Sequence, residues 1–89
     1  MIREELIIQN KVGLHARPAA IFVQTAVKFK SNVIIEKDGK EINARSIIGV
    51  LSLGAEKGSK IIIKIEGEDE QEAMKAFKEL VNNNFGEEQ

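Results

Sequence analysis

The order of strand and helix signals predicts an α+β open-faced β-sandwich: a four-stranded antiparallel sheet with three helices on one face, arranged βαββαβα. Three observations carry this expectation. Apolar residues alternate in short β-rich runs, they recur at helical spacing after Pro18, Ser46 and Asp69, and an Asp-Gly pair separates two of the runs. A chain of 89 residues fits one small domain, spanning 1–89, with a single core.

The first run, Ile2 to Ile8, places Ile2, Leu6 and Ile8 on one partly buried face, with the charged Glu4 among them. Pro18 marks the start of a helix reaching about Phe29, because a proline in the first turn lacks an N–H that would have had no intrahelical acceptor. Ala19, Phe22, Val23, Ala26 and Phe29 form its apolar stripe, leaving Gln24 and Lys28 toward water. Asn32 to Glu36 and Lys40 to Asn43 flank Lys37-Asp38-Gly39, so the second and third strands pair as a hairpin. Ser46 caps a short helix over Ile47 to Leu53, and Gly54 offers it a left-handed stop. Lys60 to Glu66 forms the fourth strand, with Ile61, Ile63 and Ile65 facing the core and Ile62 turned away. The last helix starts near Asp69 and carries Ala73, Phe77, Leu80 and Val81 on one face, with acidic residues near its start favouring the helix dipole. Gly86 to Gln89 reads as a frayed tail.

Composition narrows the function. The chain has no cysteine and one histidine, so disulfides are excluded and a transition-metal site is not expected. A formal charge of −1, four phenylalanines and no Tyr or Trp argue against a nucleic-acid partner, which needs a basic footprint or stacking platforms. No stretch approaches the ~20 apolar residues of a membrane span, and the start Met1-Ile2-Arg3-Glu4-Glu5 lacks the layout of a signal peptide. The expectation is a soluble, cytoplasmic protein without direct membrane insertion.

His15 is the residue that carries chemistry. A lone histidine is weak ground by itself, but this one lies in Gly13-Leu14-His15-Ala16-Arg17-Pro18-Ala19-Ala20, where a turn runs into a helix start. Its imidazole supplies a nitrogen nucleophile. Arg17 adds a planar fork of donors matched to phosphate oxygens, and the amides of Ala16 and Arg17 beside the helix start are candidate backbone donors to an anion. This arrangement suits phosphoryl transfer, which is mostly positioning and charge neutralisation.

Ser46 reads first as a helix cap. A hydroxyl at a helix start is also a modification site at which the dipole tolerates a phosphate, with Arg45 beside it to offset part of the charge. Ile47, Ile48 and Leu51 cannot all face one core from so short a helix. At least one is expected outside, and together they form a candidate docking patch.

The Gly13 to Ala20 segment, together with Ser46-Ile47-Ile48-Gly49-Val50-Leu51-Ser52-Leu53-Gly54, resembles HPr, the histidine phosphocarrier family of the sugar phosphotransferase system. The resemblance spans nearly the whole chain and implies the same open-faced sandwich. It implies that His15 takes a phosphoryl group on Nδ1 from phosphorylated enzyme I and passes it to a sugar-specific enzyme IIA domain, with Arg17 steadying the phosphate. It also implies that Ser46 is the target of an ATP-dependent HPr kinase/phosphorylase and that the modified form binds catabolite control protein A. Two residues depart from the family pattern. Val12 stands where Asn or Ser is common and cannot hydrogen-bond through its side chain, and Arg45 stands where many members have lysine, which alters donor geometry. The expected protein is a monomeric carrier without a cofactor, not a turnover enzyme alone. The alternative is a regulatory binding module acting through phosphorylated Ser46 and a transcription regulator.

Overall fold

The computed structural model describes residues 1–86. Strand β1 (Ile2–Ile7) is followed by helix α1 (Ala16–Val27), β2 (Asn32–Lys37), β3 (Lys40–Asn43), α2 (Ile47–Ser52), β4 (Lys60–Glu66) and α3 (Glu70–Asn82). The sheet runs in the order β1-β4-β2-β3, and every adjacent pair is antiparallel. This is the expected α+β open-faced sandwich.

Register explains the two faces. Ile2, Glu4 and Leu6 lie opposite Ile65, Ile63 and Ile61, and Val33 and Ile35 lie opposite Ile65 and Ile63. Because side chains alternate along a strand, these residues share one face. Val33, Ile35, Ile61, Ile63 and Ile65 are buried there with Phe22 of α1 and Phe77 of α3, whose tilted rings lie 4.7 Å apart. Glu4 shares that face but sits on the edge strand, where it meets Lys78 of α3 at 3.0 Å. On the opposite face Lys64 pairs with Glu36 at 2.8 Å and also with Glu41. Those hydrogen bonds hold the Lys64 ammonium above its ordinary pKa, and Lys64 in turn holds the Glu41 carboxyl below its own.

Several boundaries differ from those the sequence predicts. Helix α1 begins at Ala16, not Pro18, and ends at Val27, not Phe29. The first-turn positions ahead of Ala19 have no intrahelical acceptor, so proline fits the third as well as the first. Ile8 leaves the ladder but stays buried, donating to the Ser59 carbonyl at 2.9 Å and accepting from the Gly58 amide at 2.7 Å. The β2–β3 turn is as expected, with positive φ at both Asp38 and Gly39, the backbone of a tight hairpin that keeps the strands' right-handed twist. Gly86, expected in a frayed tail, closes a 3-10 turn over Asn84–Gly86 that buries Phe85; the remainder of that tail, 87–89, lies outside the described residues.

Asp69 does not bond the α3 amides as a conventional cap would. Its carboxylate accepts from the amides of Lys30 at 2.8 Å and Ser31 at 2.9 Å, and from the Ser31 hydroxyl. It thus ties the α1–β2 connection to the start of α3. The same connection is held by Arg45, whose Nη2 donates to the carbonyls of Phe29 at 2.7 Å and Ser31 at 3.2 Å.

The approach to α1 is tied down differently. Gly13 has a φ of +68°, and a Cβ there would lie 2.4 Å from the Ala55 carbonyl oxygen and 2.7 Å from the Glu56 Cα. Only glycine fits so close a backbone approach. The Leu14 amide then donates to the same Ala55 carbonyl at 2.8 Å, and the Leu14 side chain is fully buried.

Two outcomes test these ties. The Ser31 hydroxyl, followed by the Lys30 amide, holds the Asp69 carboxyl below its ordinary pKa of 3.8. Its stabilising effect is therefore present above that value and lost as pH falls through the lower folded-state value. Asp69→Asn should be less stable than the wild type in urea near neutrality, with a gap that narrows progressively as the pH falls below 3.8. A gap independent of pH would mean that the carboxylate charge is not what holds the loop. Gly13→Ala should cost about 2 kcal/mol or more in chemical denaturation, combining left-handed strain with a clash against backbone. A loss under about 0.5 kcal/mol, the range of an ordinary surface substitution, would show that the Ala55 segment yields freely.

Candidate functional site

His15 is the N-cap of α1, with extended backbone (φ −102°, ψ 173°), and its side chain makes no capping hydrogen bond. It is exposed, as are Ala16 and Arg17, whereas Pro18 and Ala19 are buried. The first intrahelical bond runs from the Ala19 amide to the His15 carbonyl at 3.0 Å. A cap side chain ordinarily accepts from the second or third helical amide. Here those positions are Arg17 and Pro18, and proline has no amide to offer. The Ala16 and Arg17 N–H groups, without intrahelical acceptors, remain at the positive end of a twelve-residue helix. His15, Ala16 and Arg17 thus put an imidazole, two backbone N–H groups and a guanidinium on a single exposed turn.

Helices α1 and α2 run side by side in opposite directions. Arg45, just before α2, reaches carbonyls just beyond the end of α1, while Ala55, just after α2, bonds Leu14 just before α1. The exit of α2 therefore lies beside His15, and its start lies toward the other end of α1. Ile47, Ile48 and Leu51 are all exposed, at 39%, 78% and 40%, while Val50 is fully buried. The short helix spends one apolar side chain on the core and leaves three outside.

Ser46 caps α2 as expected, its Oγ accepting from the Gly49 amide at 3.0 Å. It is exposed and stands apart from His15, on the order of 10 Å along the length of α2. Arg45, next to Ser46 in the chain, uses its Nη2 to donate to the Phe29 and Ser31 carbonyls. Val12, which has no polar side-chain atom, is half-exposed next to the site.

Sequence reasoning missed Asn10. This residue is fully buried, and its Nδ2 donates to the Gly13 carbonyl at 2.9 Å. An Asn three residues before a Gly is a turn signal that could have marked it. Ala55, whose carbonyl holds the loop from the other side, carries no such signal. Among the described residues no group of His, Cys, Asp and Glu is arranged to hold a metal ion, and no helix is long and apolar enough to cross a membrane.

Comparison with known proteins agrees with this geometry. The family model for the PTS HPr component phosphorylation site matches residues 2–83. The phosphocarrier protein HPr of Xylella fastidiosa (strain 9a5c) is 51% identical over 87 residues, covering 98% of each chain. The HPr-like protein Crh of Halalkalibacterium halodurans is 53% identical over 77 residues, which cover 86% of this chain and 92% of that one. The crystal structure of HPr from Thermoanaerobacter tengcongensis superimposes with a TM-score of 0.97 at 52% identity, covering 100% of both chains. With the histidine at its helix start and the whole sheet order in place, the chain belongs to the HPr family of phosphotransferase-system phosphocarriers.

Proposed function

We propose that this chain carries a phosphoryl group on His15, accepting it from phosphorylated enzyme I and donating it to sugar-specific enzyme IIA domains in the cytoplasm. The observation that carries this reading is the exposed imidazole at the start of α1, free of any capping bond and flanked by amides that lack intrahelical acceptors. As the P–N bond to Nδ1 forms, the bond between phosphorus and its donor breaks, and negative charge spreads over the three phosphoryl oxygens. The Arg17 guanidinium and the amides of Ala16 and Arg17 are donors to those oxygens. Release to enzyme IIA reverses the step. Nucleophile and donors come from one α1, so a single copy of the chain suffices, and no cofactor enters. The chain is a covalent relay rather than a turnover enzyme.

Ile47, Ile48 and Leu51 form the docking surface beside this centre in the same reading. Ser46 phosphorylation, by an HPr kinase/phosphorylase, gates it. The phosphate would bring ~1.5 to 2 negative charges to the edge of the apolar patch, where the start of α2 tolerates it and an approaching partner does not. Likeness to Crh supports a second role, in which the Ser46-phosphorylated form binds catabolite control protein A.

Arg17→Ala should slow transfer in both directions while changing stability by no more than about 0.5 kcal/mol, because an exposed arginine contributes little to folding. Rates equal to wild type in a reconstituted assay would remove Arg17 from the site. Ile48→Glu should weaken the enzyme I complex by at least ~1 kcal/mol in calorimetric titration, as expected of an apolar anchor replaced by a charge. Undiminished affinity would retire the patch. Kinase-treated protein should show a raised KM with enzyme I that recovers as salt rises. A loss confined to kcat would contradict gating at the docking step.

A further inference from the structure

We propose that Asn10 is a positioning residue for transfer at His15, acting through the backbone of Gly13; this rests on the carrier reading above. Asn10 is fully buried, a rare place for an amide side chain unless it is hydrogen-bonded. Its Nδ2 donates to the Gly13 carbonyl at 2.9 Å, and the Gly13 amide donates back to the Asn10 carbonyl at 3.2 Å. These two bonds of opposite sense close 10–13 into a ring. On the other side of that ring, Gly13 packs against the Ala55 and Glu56 backbone and Leu14 bonds the Ala55 carbonyl. The two residues before His15 are thus gripped from both sides, while His15 itself has no capping bond.

The imidazole is therefore placed by its backbone, and that backbone is set by Asn10. Neighbouring side chains offer no substitute. Val12 is apolar, and Lys11 and Gln9 are exposed. Without the amide donor, the carbonyl of buried Gly13 faces no side-chain donor. The turn would then relax, carrying the imidazole out of line with the phosphorus and the leaving group of the docked phospho-enzyme I.

Asn10→Asp tests this, since it keeps size and shape but sets an acceptor against the Gly13 carbonyl. Transfer from phospho-enzyme I should lose at least about tenfold in kcat with KM within about twofold, because displacing a reacting group by ~1 Å costs up to ~100-fold while the docking patch is intact. Phosphorylation by phosphoramidate, in which the donor's P–N bond breaks and ammonia leaves as the His15–phosphorus bond forms, needs no docked geometry. Its rate should stay within about threefold of wild type. An unchanged kcat, a change in KM alone, or an equal loss with both donors overturns the proposal. Should Asn10→Asp not fold, Asn10→Ser, which retains a donor, must keep a higher kcat than Asn10→Ala; equal values overturn it too. Wild-type protein that takes nothing from phospho-enzyme I overturns the carrier reading itself, whereas wild-type transfer matched by Asn10→Asp overturns only the role of Asn10.

Discussion

The close approach of Gly13 to Ala55 is the contact on which the rest of the site depends. It brings the loop ahead of α1 against the segment following α2, and the Leu14–Ala55 hydrogen bond fixes it there. His15 is the next residue, so its position at the helix start follows from a backbone contact between elements some forty residues apart in sequence. Together with the Arg45 bonds just beyond the end of α1, the same contact sets α1 and α2 antiparallel, which places the exit of α2 beside His15. In the proposed relay this would hold the nucleophile on a rigid element, as in-line transfer requires.

Ser46 lies at the other end of α2, and this separation shapes how it can act. Its Oγ already satisfies the Gly49 amide, so a phosphate attached there enters a helix start that accepts negative charge without unfolding. The guanidinium of the preceding residue, Arg45, has an Nη2 bonded to carbonyls of the α1–β2 connection, which Asp69 grips from its amide side. Neutralisation by Arg45 would have to compete with those bonds, and the phosphate's field falls chiefly on an incoming protein. In the proposed reading, regulation would therefore act at the docking surface, without direct contact between Ser46 and His15.

Local chemistry made much of this legible in the sequence. The hairpin was readable because Asp38-Gly39 can take positive φ at both positions, and the start of α2 because a serine hydroxyl at that place can meet the Gly49 amide. His15, Arg17 and the exposed α2 side chains were readable because they lie within one or two turns of a helix start. The start of α1 was misplaced by two residues because proline is tolerated throughout the first turn. Glu4 interrupted an apolar face for a reason that only tertiary structure discloses, its ion pair with Lys78. Ala55 and the diversion of Asp69 to Lys30 and Ser31 involve backbone atoms or partners distant in sequence that residue identity does not encode, whereas Asn10, three residues before Gly13, carried a turn signal that went unread.

The central claim is that one exposed imidazole at the start of α1 is the covalent acceptor. Incubation of the full chain with enzyme I and phosphoenolpyruvate, followed by intact-mass measurement and site mapping under alkaline conditions, tests it most directly. The account predicts one phosphate, on a ring nitrogen of His15, labile to acid and absent from His15→Ala. A phosphate mapped elsewhere, or acceptance by His15→Ala at the wild-type rate, would contradict it.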